Sequence, residues 1–124
     1  MLNEMSVEAV GDALRGALGD FSEPHVKMVF KILRAAEWAA FEAAGRFVGS
    51  PNDVEDGFVH LSSADQVAGT RSRHFADVPG LVLVTLNADA LGTALRCEPS
   101  RGGALFPHLY RPIERAEVVA VEYL

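Results

Sequence analysis

A single cysteine, Cys97, occurs in the chain of 124 residues. No internal disulfide can form, and a reducing, cytoplasmic setting is the expectation. Basic residues are in deficit: 11 Lys and Arg stand against 17 Asp and Glu, a formal net charge of −6. This argues against non-specific binding of DNA or RNA, which draws on an excess of positive charge. It leaves room for a small basic pocket. Long apolar runs are missing as well. The longest, Leu81 to Leu86, contains Thr85 and falls far short of the roughly 20 residues of a membrane-spanning helix, so no membrane partner is expected. The N-terminus lacks the basic start and apolar stretch of a secretory signal. There is no Gly-x-Ser-x-Gly elbow, no Walker loop and no dinucleotide fingerprint. His60, His74, Cys97 and His108 show no compact ligand spacing, so no metal centre is expected.

What is present suits one soluble domain. Hydrophobic residues make up 49% of the chain, enough for a core in a chain of this size. Residues 1–27 read as an appendage: Val7, Val10, Leu14 and Leu18 share one helical face, Gly11 and Gly16 weaken that helix, and Pro24 punctuates a linker. The domain proper spans 28–124. Its expected elements are a strand at 28–33, an alanine-rich helix at 35–44 closed by Gly45, and a loop at 49–53. A strand at 58–61 and a helix at 63–75 follow, the latter opened by a Ser63/Gln66 capping box. Then come a buried strand at 81–86, a turn capped by Asn87, a strand at 93–98, an extended piece at 105–110 and a last strand at 116–123. This order predicts an α+β fold, a split mixed sheet with two packed helices. A chain starting at Met28 is expected to remain soluble and to melt cooperatively. Loss of the cooperative transition on truncation would show that 1–27 belongs to the core.

The chemistry-bearing residues cluster in two stretches. In Phe58-Val59-His60-Leu61-Ser62, alternation puts His60 and Ser62 on one strand face, where both reach a ligand or where Ser62 merely caps the next helix. The loop Ser100-Arg101-Gly102-Gly103 combines an arginine with permissive glycines, which suits a phosphate or carboxylate cradled by backbone N–H groups; an ordinary hairpin is the alternative. Glu98 can serve as a base or accept ribose hydroxyls, or it can pair with Arg96 or Arg101. His108 and Tyr110 alternate in an extended segment and can contact a ligand or serve the core.

From Met28 onward the chain resembles a bacterial family known as domain of unknown function 952. The resemblance rests on Lys31-Ile32, Gly57 to Ser62, Gln66, Leu91-Gly92, Leu95-Arg96, Glu98 to Gly103 and Phe106 to Tyr110. That family looks like a compact ADP-ribosyltransferase fold, and the order of segments is similar to the catalytic lobe of RNA 2′-phosphotransferases. Val59 to Ser62, Arg73-His74, Leu81 to Leu86 and Gly102-Gly103 carry the parallel. The resemblance implies a cleft for a small anionic or nucleotide-like ligand, with NAD as a possible cofactor. His60 and Glu98 would be its catalytic residues, and Lys31, Ser62, Ser100, Arg101, Gly102, His108 and Tyr110 its ligand contacts. Lys31 stands where such enzymes present an NAD-gripping histidine, and a charged lysine cannot accept a hydrogen bond. Glu55 and Asp56 replace an expected basic partner. A transferase or hydrolase and a non-catalytic ligand-binding or protein-interaction module are therefore both open readings.

Overall fold

The first described strand, β1 (Met28–Leu33), is almost wholly buried, and the rest of the fold is arranged on its two faces. A computed structural model describes residues 27–124; the helix expected around Val7 to Leu18 lies outside the described residues. After β1 come α1 (Ala35–Ala44), β2 (Arg46–Phe47), α2 (Pro51–Asp56), β3 (Val59–His60) and α3 (Val67–His74). The chain continues through β4 (Val82–Asn87), α4 (Ala88–Leu91), β5 (Leu95–Pro99), β6 (Leu105–Leu109), β7 (Ile113–Glu114) and β8 (Val118–Tyr123).

The fold is α+β. The expected split mixed sheet is instead three small sheets, ordered β1-β4-β8, β2-β7 and β3-β6-β5. Every strand pairing in them is antiparallel, so none is mixed. The reason lies in the connections. The chain leaving α1 enters a separate two-stranded ribbon instead of crossing back beside β1, and only such a crossover makes a parallel neighbour. The first and third sheets meet at one bridge, where Phe30 and Ser62 exchange backbone hydrogen bonds of 2.8 Å each way.

Alternation along β1 and β4 sorts the core into two sides. Val29, Leu33, Val82, Val84 and Leu86 pack with Trp38 and Phe41 of α1. Phe30, Ile32, Leu81 and Leu83 pack with Val67 of α3. The two expected helices thus cover the two faces of the first sheet, and β4 is buried on both. The second helix is shorter than expected: its first turn, Ala64–Gln66, is a 3-10 turn, where the Ser63 amide donates to Gln66 Oε1 at 2.9 Å. Among the described residues no helix is long and apolar enough to cross a membrane.

The third sheet has one apolar face and one polar face. Val59, Leu61 and Leu109 point into the core. His60 faces His108 across β3 and β6, and Glu98 is paired with Phe106 across β5 and β6. That polar face prepares the site.

Candidate functional site

A cleft of about 740 Å³ opens where the first and third sheets meet, within the size range of small-molecule sites. Its walls bring together Lys31 from β1, His60 and Ser62 from β3 and its extension, Ser100 and Arg101 from the loop after β5, and His108 from β6. Helix α3 adds Thr70, Arg73 and His74, and the residue before α1 adds Arg34. Glu98, Gly102 and Tyr110 are not among the lining residues.

The residue that organises one wall is Asp53, which the sequence reading placed in a loop. It lies in α2 and is 2% exposed. Its carboxylate accepts from the Ser50 amide at 2.8 Å, the His60 amide at 3.1 Å and His60 Nδ1 at 2.6 Å. It also accepts from Lys31 Nζ at 2.9 and 3.2 Å. Burial pushes this carboxyl up, but the Lys31 ammonium and the bonds from His60 outweigh it and hold the group below its ordinary value. Lys31 Nζ also donates to the His60 carbonyl, at 3.0 Å. These contacts make the lysine an anchor that ties α2 and β3 to β1 while it lines the cleft. Gly57, with φ of 86°, caps α2 and turns the chain into β3.

His60 sits between two carboxylates. Nδ1 donates to Asp53, and Nε2 lies 2.9 Å from Asp56 Oδ2. The Asp53 contact is a hydrogen bond that fixes one edge of the ring, whereas the Asp56 contact is a close charge contact without hydrogen-bond geometry. Ser62 is buried, and its hydroxyl is shared with Thr70 Oγ1 at 3.0 Å.

Glu98 pairs with neither Arg96 nor Arg101. Its Oε1 accepts from Tyr110 Oη at 2.6 Å and from His108 Nδ1 at 2.8 Å. These bonds, the tyrosine's first, hold the Glu98 carboxyl below its ordinary range, and the bond to Glu98 raises the Tyr110 phenol. Glu98 therefore reaches the cleft only through His108. Tyr110 lies outside it with its ring beneath the Arg96 guanidinium, 4.9 Å away. His108 is 4% exposed and stacks on Phe58, with ring centroids 4.0 Å apart. Its Nε2 has no hydrogen-bond partner among the described residues.

The loop after β5 closes on itself through three of its amides, and the Arg101 and Gly102 amides make no backbone hydrogen bond among the described residues. The Gly103 and Ala104 amides donate to Ser100 and Arg101 carbonyls, and the Ser100 amide donates to the Ala104 carbonyl. What the loop contributes is the Arg101 side chain. Its guanidinium lies over the Phe106 ring at 4.8 Å. It also passes the bare backbone of Gly69, where a Cβ would stand 3.4 Å from Nη2. Arg73 and Arg101 share a depression with Gly69 and Ser72, and no carboxylate lines it among the described residues. The nearby His74 registers this field: burial first, then the charges of Arg101 and Arg73, push it below its ordinary value. Sequence reasoning missed Arg34, Asp53 and Arg73 as site residues. Asp53 left a local signal, the Ser50-Pro51-x-Asp53 pattern of a helix start, and Arg73 was marked by the Arg73-His74 pair of the family resemblance.

Among the described residues no group of three His, Cys, Asp or Glu is placed to hold a metal ion. Comparison with curated proteins gives no match. The chain is similar to protein CC0527 from Caulobacter crescentus. The crystal structure of that protein shares 47% identity over 78% of this chain and 85% of that one, with a TM-score of 0.76. The solution NMR structure shares 48% identity over 76% of this chain and 81% of that one, with a TM-score of 0.69. The family described as "Protein of unknown function (DUF952)" matches residues 32–121. With most of the domain matched, the chain belongs to the DUF952 family.

Proposed function

We propose that the cleft binds a phosphate-bearing ligand of nucleotide size, NAD-derived or otherwise, in an ADP-ribosyltransferase-like domain. The observation that carries this reading is the pair Arg73 and Arg101, which share a depression free of carboxylates among the described residues. In a chain of net charge −6, two arginines that open onto one depression draw an anion there. Arg34 lines the same cleft and is held over the Phe75 ring at 4.9 Å. The ligand's anionic group sits at Arg73 and Arg101, and the rest of it extends toward His60 and His108. The lone exposed Cys97 fits a reducing, cytoplasmic setting, and the acidic balance speaks against nucleic acid as the partner.

The test is a thermal-shift and calorimetric series with inorganic pyrophosphate, ADP-ribose, NAD and mononucleotides. A charge-assisted hydrogen bond is worth on the order of 1.5–3 kcal/mol. Arg101→Ala is therefore expected to weaken binding roughly ten- to a hundredfold while leaving the melting temperature of the free protein nearly unchanged. Binding unaffected by this change would contradict the reading.

A second reading, a binding module without turnover, is favoured by a specific observation. Lys31, expected as a ligand contact, and His60, expected as a catalytic residue, are both engaged in the Asp53 network. Release of nicotinamide from NAD by the purified protein would exclude it, and tight binding of NAD without product would favour it.

A further inference from the structure

His60 and His108 face the same cleft but are wired differently. The His60 ring has a carboxylate on each nitrogen. His108 has one carboxylate, Glu98, on Nδ1, and nothing among the described residues on Nε2. A carboxylate accepts only, so Nδ1 carries the hydrogen, and in the neutral imidazole Nε2 then presents its lone pair. The ring cannot turn to satisfy that lone pair, because Phe58 stacks on it and Glu98, steadied by Tyr110, fixes its other edge. A bare acceptor in a buried, polar place is costly unless a donor meets it. His108 and Phe106 are two residues apart on β6 and share a face, so His108 stands roughly 7 Å from the residue over which Arg101 lies. His108 and the Arg101 guanidinium thus belong to one face of the third sheet.

We infer that His108 Nε2 is the cleft's acceptor for a ligand hydroxyl, so the site selects a hydroxylated phosphate ester over a bare polyphosphate. Glu98 is the positioning residue, acting through His108 without touching the ligand. The inference rests on the anion-binding reading above, and it gives His108 the hydroxyl-accepting role that the sequence raised for Glu98.

The test compares two probes on intact protein: ADP-ribose, which carries sugar hydroxyls, and inorganic pyrophosphate, which does not. His108→Phe keeps a ring for the Phe58 stack and removes the acceptor. It is expected to weaken ADP-ribose binding about tenfold, the loss of one hydrogen bond to a buried group, and to leave pyrophosphate binding unchanged. Glu98→Gln, at a half-buried position, serves if the first variant fails to fold. It no longer fixes the tautomer, and it should lower ADP-ribose affinity severalfold with pyrophosphate again unaffected. Nitrogen-15 spectra of the wild-type ring should show a bare Nε2 whose resonance moves with ADP-ribose and not with pyrophosphate. If pyrophosphate binds and needs Arg101, yet ADP-ribose binds the His108 and Glu98 variants as well as wild type, this inference fails alone. If neither compound binds, the anion reading fails and takes this one with it.

Discussion

Asp53→Ala is expected to unfold the domain or bring it to the edge of unfolding. The substitution leaves Lys31, a residue 8% exposed, without its carboxylate and strips partners from the Ser50 and His60 amides. Removing one member of a buried ion pair costs about 3–5 kcal/mol, against a total stability of about 5–15 kcal/mol for a domain. Urea unfolding should show the midpoint collapse. Replacing both members, Lys31→Met with Asp53→Asn, should recover part of the loss, because no unpaired charge is left behind. A single Asp53→Ala variant as stable as wild type would contradict the role given to this residue.

The same carboxylate gives the domain an acid limit. Its pKa is lower in the folded chain than in the unfolded one, so the unfolded state takes up more protons as pH falls. The stabilisation is complete above the ordinary carboxylate value, about 4, and is lost as pH drops below it through the folded value. Glu117, held down by its bond from Arg111, acts in the same direction. Glu122, raised by burial, acts in the opposite one. The Asp53→Asn variant should therefore show a shallower loss of stability on acidification than wild type, measured by melting temperature against pH.

Phe30→Ala is the second large effect. Phe30 is 1% exposed, packs with Ile32, Val67, Leu81 and Leu83, and carries the bridge to Ser62 that joins two sheets. Truncating a buried phenylalanine costs about 3–5 kcal/mol through lost transfer energy and the cavity left behind. Because Phe30 also lines the cleft, ligand binding should weaken along with stability. Val48→Ala is the control: Val48 is 63% exposed, and a change within about 0.5 kcal/mol is expected. Comparable losses from the two changes would mean that the core has been misassigned.

Much of the scaffold was legible in the residues. The strand at Met28–Leu33 and the helix at Ala35–Ala44 stand where the sequence placed them, since β-branched and aromatic residues mark the first and alanines with Gly45 mark the second. Asn87 caps its turn by accepting from the Asp89 and Ala90 amides. Helix α2 was not legible. It is a turn and a half long, its one large apolar residue, Val54, is 63% exposed, and the residue it buries is an aspartate. Apolar periodicity inverts there, because the helix is held by an ion pair to β1 and not by packing. The partners of Glu98 were hidden for another reason. They depend on the register of β5 on β6, which sets Glu98 opposite Phe106 and brings it within reach of His108 and Tyr110. Register follows from pairing, and no local pattern in the chain reveals it. The arginines of the cleft come from three separate segments, so only the fold assembles them.

The most direct measurement is a map of amide and side-chain resonances as inorganic pyrophosphate is titrated into isotope-labelled protein. Saturable shifts centred on Thr70, Arg73, Ser100 and Arg101, abolished by Arg101→Ala, are the expected result. Shifts scattered over the exposed Arg46 and Arg115, or none at all at millimolar pyrophosphate, would contradict the claim that the cleft is an anion site.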